Sequence, residues 1–495
     1  MRDQGGFRLA KVVGVFAIMA SAVAQEYGAG ITFVAPQSVG AYPGVQGLVP
    51  LAMLVTGIAL FPKTVLLMRF SRSMPSSGAA YAWMSRTLSL PVAFVVTFLF
   101  WVGLAGAIGV VASTFGTFLG QAFDSAGWPG ASWMLSDAGH LVLGLAAIWV
   151  MFAIQARSVG SYAWTIYILF AVVVATTAVV VLYGFLTPSS EFVSSAQAHA
   201  HVRLAPPAGD GGASLGDFLS VCSLLVFAYG GLLAGPSLGG EATEAARSVP
   251  RGTFLGWLVA IVLYTLIALA IFAVAPWWAV VGLVDAGKDS LTTMPGVMGV
   301  VASSTVSTLI NLAVAAIVCK TLAPQLMTCS RTLFALGQDQ LLPEGLTRTS
   351  ARKSPVLALA ITAVIGSLFL VQTVFAGFTV GVVVRSISLL VVLVAISVGV
   401  LNIRFGQRRR FAGQAWAAEI GRGPGIVVAA VLSIVVSVVL VESVLTDPES
   451  GLGLQPWFQT VVVVAVAVVA YGWARRRGRT RGVDLGRVTA TPPAE

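Results

Sequence analysis

Charge is what this chain lacks most. Charged residues are 10% of its 495 residues and hydrophobic ones 57%, whereas a soluble domain carries roughly 25% charged residues. That composition cannot clothe an ordinary water-facing surface. With a mean hydropathy of +0.91, it describes an integral membrane protein instead. Cysteine is equally scarce: Cys222, Cys319 and Cys329 all fall in apolar runs, none in an outside loop, which removes a disulfide framework. Histidine stops at three. His199 and His201 form a His-x-His pair in the long loop 187–216, but no partner motif lies near them and no metal site is expected. The chain has no HExxH, no GxSxG, no P-loop and no acidic pair at membrane depth, so neither enzyme chemistry nor a cofactor is expected.

What the chain has is long apolar runs. Segments of about 20 residues, enough to cross the bilayer's hydrocarbon, predict twelve helices near 12–38, 45–67, 91–120, 139–155, 161–186, 217–240, 253–275, 300–335, 355–376, 381–403, 425–445 and 457–474. The predicted fold class is an all-α membrane protein. Its net charge of +10 follows topology. With the N-terminus inside, 25 of the 29 Lys and Arg residues fall in cytoplasmic segments, Lys63, Arg69, Arg72 and Arg86 among them. Arg203 and Lys288 lie outside. Lys320 and Arg385 fall within or near the membrane, Arg385 near the outer edge of the tenth helix, where a long side chain can snorkel. This positive-inside bias predicts a multi-pass protein of the cytoplasmic membrane with both termini cytoplasmic. The runs "RFGQRRRF" and "RRRGRTR" then read as anchors with affinity for anionic lipid, and no nucleic-acid partner is expected.

Two apolar runs are interrupted. "MASAVAQEYGAGITFVAP" (19–36) carries Glu26, Gly28 and Gly30 inside its run. After the basic Arg2, Arg8 and Lys11, "AVA" at 22–24 can be read as the end of a signal peptide. The alternative is a membrane helix broken at its middle. "FAYGGLLAG" (227–235) is a matching break in the sixth predicted helix. Each opens a five-helix block, 12–186 and 217–403, and such pairs mark inverted-repeat transporters. Unwound backbone persists in hydrocarbon only where it is buried in protein or lines a cavity. This matching favours the broken-helix reading over cleavage. Glycines elsewhere, in "GLAGAIG" (103–109) and "GTFLG" (116–120), read as helix packing. The organisation expected is an N-tail 1–11, the block 12–186, an outside loop 187–216, the block 217–403, a cytoplasmic loop with two appended helices 404–474, and a C-tail 475–495.

Three further stretches carry a family likeness: "RFSRSMPSSGAAYAWMSRTLSLPVAF" (69–94), "GGEATEAARSVPRG" (239–252) and "SRTLFALGQDQLLPEGL" (330–346). In order and spacing they resemble the loop after helix 2, the close of helix 6 and the segment after helix 8 of the amino acid–polyamine–organocation permeases. The resemblance implies a leucine-transporter-like fold of five plus five inverted helices with helices 1 and 6 broken, and transport of an amino acid or amine by alternating access; that fold is itself a standing example of a broken-helix site. It departs from the family at "GAGITF", where Ala29 replaces a hydroxyl residue. "FAIMASAVAQEYG" is similar to helix 1 of the glutamate–GABA antiporters. Helix 5 lacks the lysine that some proton-coupled members carry.

The chemistry at the breaks can be argued from the backbone. N–H groups of Gly28, Ala29 and Gly30 have no intrahelical partner and sit at a positive helix end, which suits a carboxylate. Carbonyls of Ala22 and Val23, and those near Phe227, Ala228, Tyr229 and Gly230, suit an ammonium. The resemblance makes Phe227 an occluding gate and turns Leu104, Ile108 and Gln325 toward the substrate. That gives a mostly apolar pocket and favours a neutral amino acid. Three roles stay open for Glu26: binding a substrate amine, carrying a coupling proton, or capping unwound N–H groups. Lys320 is either a fixed or protonatable cation, standing where relatives bind sodium, or half of an ion pair. The expected activity is secondary active transport, with a proton as candidate coupling ion. Exchange of amino acids or organic amines (polyamine or GABA-like) is the first alternative, a transport-like sensor or a membrane-embedded enzyme the remote ones.

Overall fold

The computed structural model describes residues 11–480 apart from 29, 208–210, 377–378, 407–410, 412 and 447–455. Helices form where the apolar runs predict them, and the described residues contain no strand beyond one isolated bridge between Val13 and Ala242. The architecture is carried by α1 (Val15–Glu26), α2 (Ala35–Ala41), α3 (Val49–Ala59), α4 (Phe61–Ser73), α5 (Ala79–Thr87), α6 (Leu90–Ser125), α7 (Asp137–Arg157), α8 (Val159–Leu186), α9 (Leu215–Leu225), α10 (Ala245–Val274), α11 (Ser304–Gln338), α12 (Val356–Ala376), α13 (Thr379–Leu401), α14 (Pro424–Thr446) and α15 (Pro456–Thr480).

Among the described residues, ten helices are long and apolar enough to cross a membrane, and two shorter apolar ones, Val15–Glu26 and Leu215–Leu225, stand at the predicted breaks. Several starts are set by serine caps: Ser136, Ser158, Ser214 and Ser303 each accept a hydrogen bond from the backbone N–H three residues on, satisfying donors the helix leaves open. The loop predicted over 187–216 contains a helix, Ser189–Ala200, seated on the bundle through Phe192, Ala196 and Ala200.

The core is a set of helices around α6. It packs against α11, α13 and α12, while α1 lies between α10, α11 and α8. Ten of the twelve α1 residues are buried, so this segment is interior to the bundle. Small residues permit the close crossings. A Cβ at Gly103 would lie 2.4 Å from Ser388 Oγ on α13, and one at Gly109 2.4 Å from the backbone of Phe369 on α12, in keeping with packing as the role of those glycines.

Candidate functional site

The first helix stops at Glu26. Its cap, Tyr27, leaves the helical region while its N–H still reaches the Val23 carbonyl at 2.7 Å, and the chain resumes as a π-helical turn, Gly30–Val34, before α2. The α-helix therefore runs past Ala22 and Val23, and their carbonyls are not the exposed ones. Those of Ala24 and Tyr27 are, and Lys320 takes both: its Nζ donates to Ala24 O at 3.2 Å and to Tyr27 O at 2.7 Å, with Thr321 Oγ1 adding a 3.2 Å bond to Tyr27 O. An ion-pair partner for Lys320 is not found among the described residues.

The glycines of the break are explained by close approach. A Cβ at Gly28 would sit 2.7 Å from Thr321 Oγ1, and one at Gly30 2.6 Å from Ala228 Cα. Glycine here lets α11 and the second break press against the first. Ala29 lies outside the described residues.

The second break begins after Leu225. Residues 226–230 form tight turns whose N–H groups bond three residues back, so the carbonyls from Leu224 to Phe227 stay occupied. The next three are each taken by a side chain. Tyr264 Oη donates to Ala228 O at 3.2 Å, Lys63 Nζ to Tyr229 O at 3.0 Å, and Arg385 Nη2 to Gly230 O at 2.6 Å. The carbonyls expected to await an ammonium are thus already capped, as buried backbone acceptors must be.

Two sequence expectations need correction here. Arg385 does not snorkel at an outer edge: it is 3% exposed, stacked on the Phe100 ring at 4.8 Å and held by Gly230. The unwound backbone offers it an internal partner, which replaces the need to reach the interface. Lys63 is not an exposed loop charge either, being 2% exposed. Helix α4 continues to Ser73, ten residues or about 15 Å beyond it, and the predicted end at residue 67 was too early.

The two breaks meet at a cavity of about 20 Å³ lined by Gln25, Glu26, Gly28, Gly30, Ala107, Val111, Phe227, Gly230, Thr321, Gln325 and Arg385. That is room for about one water molecule. Five polar atoms of its buried side chains have no hydrogen-bond partner among the described residues: Glu26 Oε1 and Oε2, Gln325 Oε1, Gln25 Nε2 and Arg385 Nη1. The N–H groups of Leu232 and Gly231 face the Glu26 carboxylate, but neither closes to a full hydrogen bond. Lys63 is within electrostatic reach of both Glu26 and Arg385. Tyr27, Tyr264 and Tyr229 form an aromatic row behind the site, with ring centroids 5.8 and 5.2 Å apart.

Of the sequence-predicted residues, Glu26, Gly28, Gly30, Phe227, Gly230 and Gln325 line the cavity, whereas Ala22, Val23, Leu104, Ile108, Ala228 and Tyr229 are buried outside its lining. On α6 the lining pair is Ala107 and Val111; Ile108 turns instead toward Gly366 on α12. Gln25, Lys63 and Thr321 were not singled out: Gln25 and Thr321 stand beside the charged Glu26 and Lys320, and Lys63 was counted with the loop charges.

The three family-like stretches converge at one end of the bundle. Arg86 and Tyr81 both bond Asp339, the arginine at 2.7 and 3.1 Å and the tyrosine at 2.6 Å, and Arg331 pairs with fully buried Glu241. The strand-like segment before α1 joins them, with Val12 and Val13 N–H on Glu241 O and Thr243 N–H on Val13 O. No group of three or more metal-ligating side chains occurs among the described residues.

Comparison with known proteins fits this arrangement. The sequence profile described as "Amino acid permease" matches residues 11–472. The branched-chain amino acid permease BcaP of Lactococcus lactis subsp. cremoris (strain MG1363) is 28% identical over 349 residues, covering 68% of this chain and 71% of that protein. A match over nearly the whole chain, on a helical bundle with both runs interrupted as predicted, means that the chain belongs to the amino acid permease family of the amino acid–polyamine–organocation superfamily, and is a transporter rather than an enzyme.

Proposed function

We propose that the protein is a secondary active transporter that moves an amino acid with a neutral side chain across the cytoplasmic membrane by alternating access. The observation that carries this is the meeting of both breaks at one cavity whose unpaired groups are of opposite kinds, a carboxylate on one side and a guanidinium N–H on the other. A zwitterion satisfies both. The remaining wall, Ala107, Val111 and Phe227, supports an apolar side chain, and the branched-chain transport named for the Lactococcus relative agrees with that choice.

Counting the interrupted helices as spans gives twelve, arranged as five plus five inverted helices with two appended. The basic ends then face the cytoplasm. Substrate entry requires the walls of so small a cavity to separate, and the cluster of Arg86, Asp339, Arg331 and Glu241 serves as the cytoplasmic closure. Lys320 stands where a cation would bind carbonyl oxygens, so transport needs no sodium. Glu26, buried without a full hydrogen bond, carries the coupling proton.

A thermal-shift screen of the purified protein against the amino acids and simple amines tests the substrate class. A ligand at 100 times its Kd adds about 2.7 kcal/mol of stability, so neutral aliphatic amino acids are expected to raise the melting temperature. Stabilisation confined to cationic amines or to none of the compounds contradicts the reading.

A further inference from the structure

The structure points to Arg385 as the anchor of the substrate carboxylate. We infer that Arg385 Nη1, with the Gln25 amide beside it, receives the carboxylate, while Glu26 and Gln325 Oε1 receive the ammonium. This deepens the proposed function and rests on the cavity being the substrate site.

The backbone acceptors that a broken-helix site would ordinarily turn toward an ammonium are in use. Ala24, Tyr27, Ala228, Tyr229 and Gly230 carbonyls are bonded by Lys320, Tyr264, Lys63 and Arg385. Recognition of an ammonium therefore falls to side-chain acceptors. Their unpartnered atoms are three acceptors, on Glu26 and Gln325, and two donors, on Gln25 and Arg385. An ammonium has three N–H donors and a carboxylate has only acceptors, so the α-amino acid head group complements this set. All four side chains are between 3% and 6% exposed, so bulk solvent hardly reaches them.

Arg385 is also preorganised. Nη2 is fixed on Gly230 O and the guanidinium plane rests on Phe100, which leaves Nη1 aimed with no rotamer freedom left to lose. Both charges lie against neighbouring residues of the second break: an added Cβ at Gly230 would be 3.5 Å from Arg385 Nη2, and one at Gly231 2.5 Å from Glu26 Cγ.

The consequence is specificity for amino acids over their decarboxylated amines. An amine fills the Glu26 side and leaves the guanidinium N–H buried and unpaired. Sites built to hydrogen-bond a substrate group reject analogues lacking it by factors on the order of 10⁴.

The experiment measures equilibrium binding of L-leucine, L-valine, 3-methylbutylamine and 2-methylpropylamine to full-length wild type, Arg385→Lys and Arg385→Gln in detergent. Wild type is expected to favour each amino acid over its amine by about 100-fold or more. Arg385→Lys keeps a cation for Gly230 and should weaken amino acid binding by roughly tenfold without changing amine binding. Arg385→Gln should bring the two affinities within about tenfold of each other. A purely structural arginine weakens both ligands together, so an unchanged ratio in the folded variants overturns the assignment. The wild-type ratio is informative even where a variant does not fold: equal binding of leucine and its amine overturns the anchor while leaving the cavity as a substrate site. Binding of none of the four compounds by wild type removes the neutral-substrate reading, and the anchor with it.

Discussion

Arg385 donates to the carbonyl of Gly230 at 2.6 Å, across 155 positions of sequence from the break it caps. With Lys63 on Tyr229 O and Lys320 on Tyr27 O, it makes a pattern: each unwound segment is held open by resident cations on its freed carbonyls. The interruption of a membrane helix leaves polar backbone in hydrocarbon, and each unsatisfied group there costs several kcal/mol. Cations on three different helices meet that cost before any substrate arrives.

Lys320 gives the first test. Its Nζ is shared by two buried carbonyls, and Lys320→Met strips both. Each buried acceptor left unpaired costs about 1–3 kcal/mol, so the melting temperature of the purified variant should fall clearly below wild type. Wild-type uptake should be the same in sodium and choline media. A variant as stable as wild type, or sodium-dependent wild-type uptake, contradicts the capping role.

The glycines of the first break give the second. Gly30→Ala would place a methyl 2.6 Å from Ala228 Cα, a clash with backbone that no rotamer change relieves. Overpacking of this kind costs about 1–3 kcal/mol. Folded yield and thermal stability should drop together. Normal stability with lost transport would instead mean that the position faces ligand.

Much of this was legible in the sequence. Apolar run length marked the spans, and the stretches at 27–30 and 227–235 marked the breaks, because a polar or glycine-rich interruption is visible against 57% hydrophobic residues. Partners across the fold were not legible. Lys63 read as a cytoplasmic charge because a run that ends near Arg69 and Arg72 does not reveal how far the helix continues. Arg385 read as a snorkelling residue because its partner is a carbonyl, and a carbonyl leaves no mark in a sequence. On α6 the cavity is lined by Ala107 and Val111, three residues on from Leu104 and Ile108, and both pairs share the same apolar i, i+4 spacing.

Glu26 gives the third test. Its two carboxyl oxygens are buried without a full hydrogen bond. If Glu26 carries the coupling proton, Glu26→Gln should abolish the pH dependence of substrate accumulation while exchange across the membrane continues. Weakened binding at every pH would assign it to the substrate ammonium alone. Unchanged affinity and unchanged pH dependence would leave it a cap.

The ion pair of Arg331 and Glu241 gives the fourth. Both side chains are buried, at 4% and 0% exposure. Arg331→Met leaves an uncompensated carboxylate and should destabilise by about 3–5 kcal/mol, while the double change Arg331→Met with Glu241→Leu should recover most of that loss. A double variant no more stable than the single one would show that the pair's environment, rather than its charges, holds that end together.

The central claim is transport of an amino acid through the cavity between the breaks, and uptake into proteoliposomes tests it most directly. Vesicles loaded with unlabelled L-leucine and holding the purified protein should accumulate external labelled leucine transiently and saturably, well above protein-free vesicles. Glu26→Ala with Arg385→Ala in one chain, folded by thermal melt, should reduce that uptake to the protein-free level. Leucine uptake by the folded double variant at the wild-type rate would contradict the account.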